Sequence, residues 1–129
     1  LLDEIVAWCV AGKPNEACGL LAARQTADDG GTPSRFLPLR NAKASPYRYE
    51  IDSQDLYRAL MDLDDRDEVV WGIVHSHVAS APVPSNTDVG LAAYPDALYL
   101  ICSLASDPAV VRAWTIVAGQ VNEVVLQPG

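Results

Sequence analysis

The alternation of apolar and polar positions divides the chain into helical and extended stretches. Leu2, Ile5, Val6 and Cys9 recur at helical spacing between Leu1 and Ala11, and Gly12 marks a stop, so an amphipathic helix is expected there. Pro14-Asn15 breaks the chain. Glu16-Ala-Cys-Gly-Leu-Leu-Ala-Ala then reads as a buried strand with an acid at its mouth. A solvated strand end is the ordinary setting for such an acid. Thr26 to Ser34 is a turn, which should join this strand as a hairpin to a second one at Arg35 to Asn41. After a connection at Ala44 to Pro46, alternation over Tyr47 to Ile51 predicts a short strand. Asp52 or Ser53 caps a helix through about Asp64, with Leu56, Leu60 and Leu63 on its inner face.

Val69 to His77 is apolar almost throughout, as expected of a strand in the middle of a sheet. Ser85 or Asn86 caps a further helix through about Tyr94, ended by Pro95-Asp96. Ala97 to Leu104 reads as another buried strand, and Val110 to Val117 with Gln120 to Leu126 as a closing hairpin through Ala118-Gly119. The order is helix, hairpin, strand, helix, strand, helix, strands. It predicts an α/β (α+β) fold with a mixed central β-sheet flanked by helices, in a single domain over residues 1–129.

Bulk properties narrow the function classes. Half of the residues are hydrophobic and 20% are charged, which suits a globular core and not a disordered chain. A net charge of -8 repels phosphate backbones, so nucleic acid is not an expected partner. The acidic run Asp62 to Glu68 puts its carboxylates on no common face and reads as a solvated helix end and turn. Cys9, Cys18 and Cys102 are odd in number, far apart and without a CxxC, as expected of buried reduced thiols in the cytoplasm. No basic leader with an apolar run opens the chain and no apolar stretch reaches membrane length, so no membrane partner is expected. Nothing in the pattern fixes an oligomeric state.

The chemistry concentrates between Trp71 and Asp88. His75 and His77 are two residues apart at the end of the expected central strand, so both rings point to one face. Asp88, brought back by the next turn, completes a three-ligand set for zinc with the fourth position open for chemistry. Taken alone, a His-x-His pair is commonly a pair of polar residues with satisfied partners, Ser85 a helix cap, and Asp88 a first-turn acid. Here the two histidines are the only ones in the chain, and Ser85, Asp88 and a distant Glu16 accompany them. Ser76 lies between the histidines and faces the opposite way, which points to a structural role.

Glu16, then His75-Ser76-His77, seven residues, Ser85, two residues, Asp88 resembles the motif of the JAMM, or MPN-plus, metalloproteases, Glu…His-Ser/Thr-His-x7-Ser-x2-Asp. The likeness runs from Glu16 to Leu104. It implies a cytidine-deaminase-like JAMM/MPN fold and one zinc ion per chain on His75, His77 and Asp88. It further implies Glu16 as general base turned general acid, and Ser85 as hydrogen-bond donor to the oxyanion. The implied substrate is a ubiquitin-like protein with a Gly-Gly tail. Val78 departs from the proline that many eukaryotic members carry, and the connection from Tyr94 to Ala97 leaves little room for the insertion that grips ubiquitin in deubiquitinating members. Both features resemble the bacterial branch that releases cysteine from a ubiquitin-like sulfur-carrier protein. Alternatives within the motif are a deubiquitinase-like isopeptidase and a phage-tail or peptidoglycan peptidase. A non-catalytic scaffold would lack the ligands, and a zinc deaminase would need a Pro-Cys-x-x-Cys that is missing here.

Overall fold

The computed structural model describes residues 1–126. Extended segments at Cys18–Ala23 (β1), Arg35–Leu39 (β2), Val69–His77 (β3), Leu98–Ser103 (β4), Val110–Val117 (β5) and Gln120–Val124 (β6) form one sheet. The helices are Leu2–Gly12 (α1), Ser53–Asp65 (α2) and Asn86–Leu91 (α3). The strand order is β2-β1-β3-β4-β5-β6. Among the described residues only β3 and β4 pair in parallel. A parallel pair needs a crossover, and the chain between these strands carries α3, so the end of β3 must open into a loop that turns back. Among the described residues no helix is long and apolar enough to cross a membrane.

Strand periodicity sends alternate side chains to two apolar clusters. Leu21, Val74, Leu100 and Cys102 pack on one face with Ile5 and Cys9 of α1. Leu20, Ile73, Tyr99 and Ile116 pack on the other with Ala59 of α2. The β1–β3 register pairs Leu21 with Gly72 and then Ala22 with Val70, so Trp71 is an extra residue. This bulge turns Trp71 to the α1 face and Val70 to the α2 face. His75 and His77 share the α2 face with Ile73, while Ser76 faces α1.

The main features of the sequence reading hold, with local corrections. Tyr47 to Ile51 is not a strand: a single bridge joins Asn41 to Ile51. The Asn41 side chain takes the place of a ladder, donating to Arg48 O at 2.9 Å and accepting from Glu50 N at 3.0 Å. The third helix ends at Leu91, three residues short of Tyr94, because Ala92 turns extended and the Ala93 and Tyr94 N–H groups donate to Tyr99 Oη at 2.9 and 3.0 Å. Leu60 is exposed, and Ala59 takes its place beside Leu63 in the core. The acidic run is partly engaged: Arg35 Nη2 reaches Asp62 at 2.6 Å and Glu68 at 2.8 Å, tying β2 to the far end of α2. Gln120–Val124 is two residues shorter than expected, and its turn uses positive φ at Ala118 and Gly119, the hairpin geometry that suits twisted strands.

Gly19 faces Pro38 across the β1–β2 ladder. A Cβ there would sit 2.6 Å from Leu37 O and 2.5 Å from Phe36 Cε1. Gly19→Ala is expected to lower unfolding free energy by about 1–3 kcal/mol, measured by urea denaturation.

Candidate metal centre

Three elements converge at the end of β3. His75 is fully buried and His77 is 5% exposed. The chain leaves the sheet after His77, crosses the loop 78–84 and enters α3 at Ser85. There Ser85 Oγ accepts from Asp88 N at 3.1 Å, and Asp88 Oδ2 accepts from Ser85 N at 2.9 Å, a reciprocal capping box. The cap fixes the Asp88 carboxylate. Its Oδ2 lies 3.2 Å from His75 Nε2 and 3.1 Å from His77 Nε2, and the two Nε2 atoms are 3.2 Å apart.

These spacings fit a tetrahedral cation. Zinc bonds of ~2.0–2.1 Å hold tetrahedral ligands about 3.3 Å apart. Proton counting agrees. A carbonyl only accepts, so the 2.8 Å contact between His77 Nδ1 and Ala81 O places the proton on Nδ1. Neutral His77 therefore presents a bare Nε2. At most one proton, from His75, remains for three contacts among three electron-rich atoms. A positive charge at their centre resolves the conflict, and His75, His77 and Asp88 together could hold a metal ion. The same crowding appears in the titration. Burial opposes ionisation of Asp88, but the adjoining His75 and His77 rings and the Ser85 N–H hold its carboxyl far below the usual carboxylate range. Burial holds His75 below the usual imidazole range, whereas Asp88 and the Ala81 carbonyl, working against burial, push His77 up.

Glu16 joins this group from the segment leading into β1, which begins at Cys18 and not, as the sequence suggested, at Glu16. Its side chain is buried, at 6% exposure, so the solvated strand end expected from composition is overturned. Cys18 pairs with His75 across the antiparallel β1–β3 ladder. Continuing that register sets Ala17 against Ser76 and Glu16 against His77, on one face. Ser76 secures the register: its Oγ accepts from Ala17 N at 2.8 Å, and its N–H donates to Ala17 O at 3.0 Å. That is the structural role expected of it. Burial pushes the Glu16 carboxyl up to about 7, with the charge of His77 pulling it down and that of Asp88 pushing it up. Ser85 is exposed at the rim. Its oxygen is occupied as an acceptor from Asp88 N, which leaves its O–H free to donate.

Two further residues shape the site without a signature in the motif. Tyr49 stacks on His75 with ring centroids 4.3 Å apart and planes 17° from parallel. It orients the ring whose Nδ1 has no hydrogen-bond partner among the described residues. Asn41 donates to Glu16 O at 3.0 Å as well as to Arg48 O, so one amide ties the Glu16 segment to the loop that carries Tyr49. The sequence reading of Tyr47 to Ile51 as a short strand gave Tyr49 no role at the site.

Comparison with known proteins gives a consistent picture. Residues 1–117 match the family model described as prokaryotic homologs of the JAB domain. A CysO-cysteine peptidase of Mycobacterium tuberculosis is 40% identical over 125 residues, covering 95% of this chain and 83% of that protein. A desampylase of Haloferax volcanii is 37% identical over 91 residues, covering 70% of this chain and 63% of that one. The solution structure of a Desulfitobacterium hafniense protein superposes with a TM-score of 0.82 at 34% identity, covering 95% of this chain and 84% of that one.

A carboxyl raised from 4.5 to about 7 on folding favours the protonated form in the folded state. Its stabilising share is complete below pH ~4.5 and is lost as pH rises through ~7. In metal-free protein, Glu16→Gln is therefore expected to raise stability at pH 8 by up to about 3 kcal/mol, with the difference from wild type vanishing near pH 4. Paired thermal melts across that range measure it.

Proposed function

This chain belongs to the family of prokaryotic homologs of the JAB domain, and from that membership we propose that it is a zinc metallopeptidase acting on a ubiquitin-like sulfur carrier. The bond cleaved is the amide that follows the carrier's Gly-Gly tail, and the residue released is cysteine. The observation that carries this reading is the convergence of two imidazole Nε2 atoms and a capped carboxylate within 3.2 Å, beside a buried acid from the segment before β1. The similarity to a CysO-cysteine peptidase supports the substrate class. The buried free thiols accord with a cytoplasmic setting.

In this reading His75, His77 and Asp88 hold zinc through Nε2, Nε2 and Oδ2. A bound zinc ion would supply Lewis acidity, bringing the pKa of water from about 15.7 to about 7. The Glu16 carboxylate takes a proton from the attacking water as its oxygen adds to the scissile carbonyl carbon. Ser85 Oγ–H donates to the carbonyl oxygen as that oxygen becomes negative, a contact worth about 2.7–4 kcal/mol at the transition state. Glu16 then returns its proton to the nitrogen as the C–N bond breaks, leaving a carrier ending in glycine carboxylate and free cysteine. Burial strengthens the hold of the Glu16 carboxyl on a proton, which suits a group that must first accept one and then pass it on. The desampylase similarity favours a second reading, in which the bond is an isopeptide between a carrier and a lysine.

Mass spectrometry of a carrier–Gly-Gly-Cys adduct and of an isopeptide-linked conjugate, each before and after incubation, tests the two readings. Loss of one cysteine residue from the adduct is the expected result, and a zinc-loaded enzyme that leaves it intact refutes the first reading. Glu16→Gln is expected to retain zinc while kcat falls about 10²- to 10⁴-fold. His77→Ala is expected to lose zinc and turnover together, read by metal analysis of the purified protein.

A further inference from the structure

Three consecutive carbonyls in the loop 78–84 each accept a hydrogen bond from a side chain of a different strand. Ser80 O accepts from Ser103 Oγ of β4 at 2.6 Å, Ala81 O from His77 Nδ1 of β3 at 2.8 Å, and Pro82 O from Trp114 Nε1 of β5 at 2.9 Å. Ala81 O also accepts from Val83 N at 2.8 Å. That bond spans two residues around Pro82, whose ring fixes φ near the value such a turn needs. Both lone pairs of Ala81 O are thus occupied. The rest of the loop has little else to hold it: Ala79, Ser80, Ala81 and Val83 are exposed.

The anchors fall in a telling order. Ser80 O and Pro82 O belong to the peptide planes on either side of the Ala81–Pro82 peptide. Fixing both leaves the Ala81 carbonyl one direction to point, towards His77 Nδ1. We propose that Ser103 and Trp114 are positioning residues that act through the Ala81 carbonyl, holding His77 in the one tautomer that presents a bare Nε2 to the metal. The effect on metal binding rests on His77 being a zinc ligand, as inferred above; the effect on the tautomer does not. His75 has no such device, since its Nδ1 finds no partner among the described residues and Tyr49 orients its ring by stacking. The chain therefore orients one imidazole by packing and the other by a hydrogen-bonded clamp spanning three strands. Partners of this outer kind typically change metal affinity 10- to 100-fold when removed.

The test uses Ser103→Ala, Ser103→Thr, Trp114→Phe, and Ser103→Ala with Trp114→Phe combined. Long-range 1H–15N correlation of the His77 ring in metal-free protein, under mildly alkaline conditions, reads the tautomer. Competition with a chromophoric chelator reads zinc affinity. Wild type and Ser103→Thr, which keeps the hydroxyl, are expected to show the Nδ1–H tautomer alone and equal affinity. The double variant is expected to show a tautomer mixture and to bind zinc about 10-fold more weakly or worse. A folded double variant with wild-type tautomer and affinity overturns the proposal, as does Ser103→Thr falling as far as Ser103→Ala. If the double variant does not fold, the contrast between Ser103→Ala and Ser103→Thr decides alone. Failure of the peptidase reading has a different signature: wild type itself would bind no zinc, while the tautomer of the metal-free protein would still judge the clamp.

Discussion

Lone-pair repulsion at the end of β3 is the constraint around which this molecule is built. Two imidazole nitrogens and a carboxylate oxygen sit 3.1 to 3.2 Å apart, and His77 has already committed its proton to Ala81. Three such atoms in a site of low exposure repel one another unless a cation lies between them. The cost of assembling them is met by structure on every side. A two-sided core holds β3, the capping box holds Asp88, stacking holds His75 and the strapped loop holds His77. The last three devices each fix one ligand atom.

The topology explains why those devices cluster there. β3 and β4 are the one parallel pair, so the chain must leave the sheet after His77 and return through a crossover. The N-cap of α3, Ser85, lies eight residues later, where it both stops the loop and starts the helix. The Asp88 oxygen that closes the capping box is the one that faces the histidines. Local helix chemistry and the metal geometry thus ask for the same rotamer, which is the agreement between levels that makes a single structure well specified.

The sheet and its histidine-bearing strand were legible because the relevant signals are local. Val69–His77 is a continuous apolar run, and the spacing of His75, His77, Ser85 and Asp88 falls within one crossover. Tyr47 to Ile51 failed because alternation cannot tell a strand from a loop whose backbone is satisfied by a distant amide, here Asn41. The shortened α3 failed for a related reason: the competing acceptor is the hydroxyl of Tyr99, a residue on another element. Glu16 was recognisable from the motif but not from its own surroundings, since its backbone is held by Ser45 and Asn41, both far off in sequence. Ser103 and Trp114 carried no signal at all, because what they bond is backbone.

Placing the acid in the segment that leads into β1, and not on β3 or α3, has a physical logic. A base that must work beside a cation must not be drawn onto it as a fourth ligand. An acid on the same strand or helix as the ligands would move with them, and a flexible loop would let it collapse inward. An adjacent antiparallel strand fixes its height instead, because a one-residue slip would turn Glu16 to the opposite face. Ser76 guards against that slip with bonds to both the N–H and the C=O of Ala17. A residue that looks like a spacer between two histidines thereby sets the spacing between the candidate metal centre and Glu16.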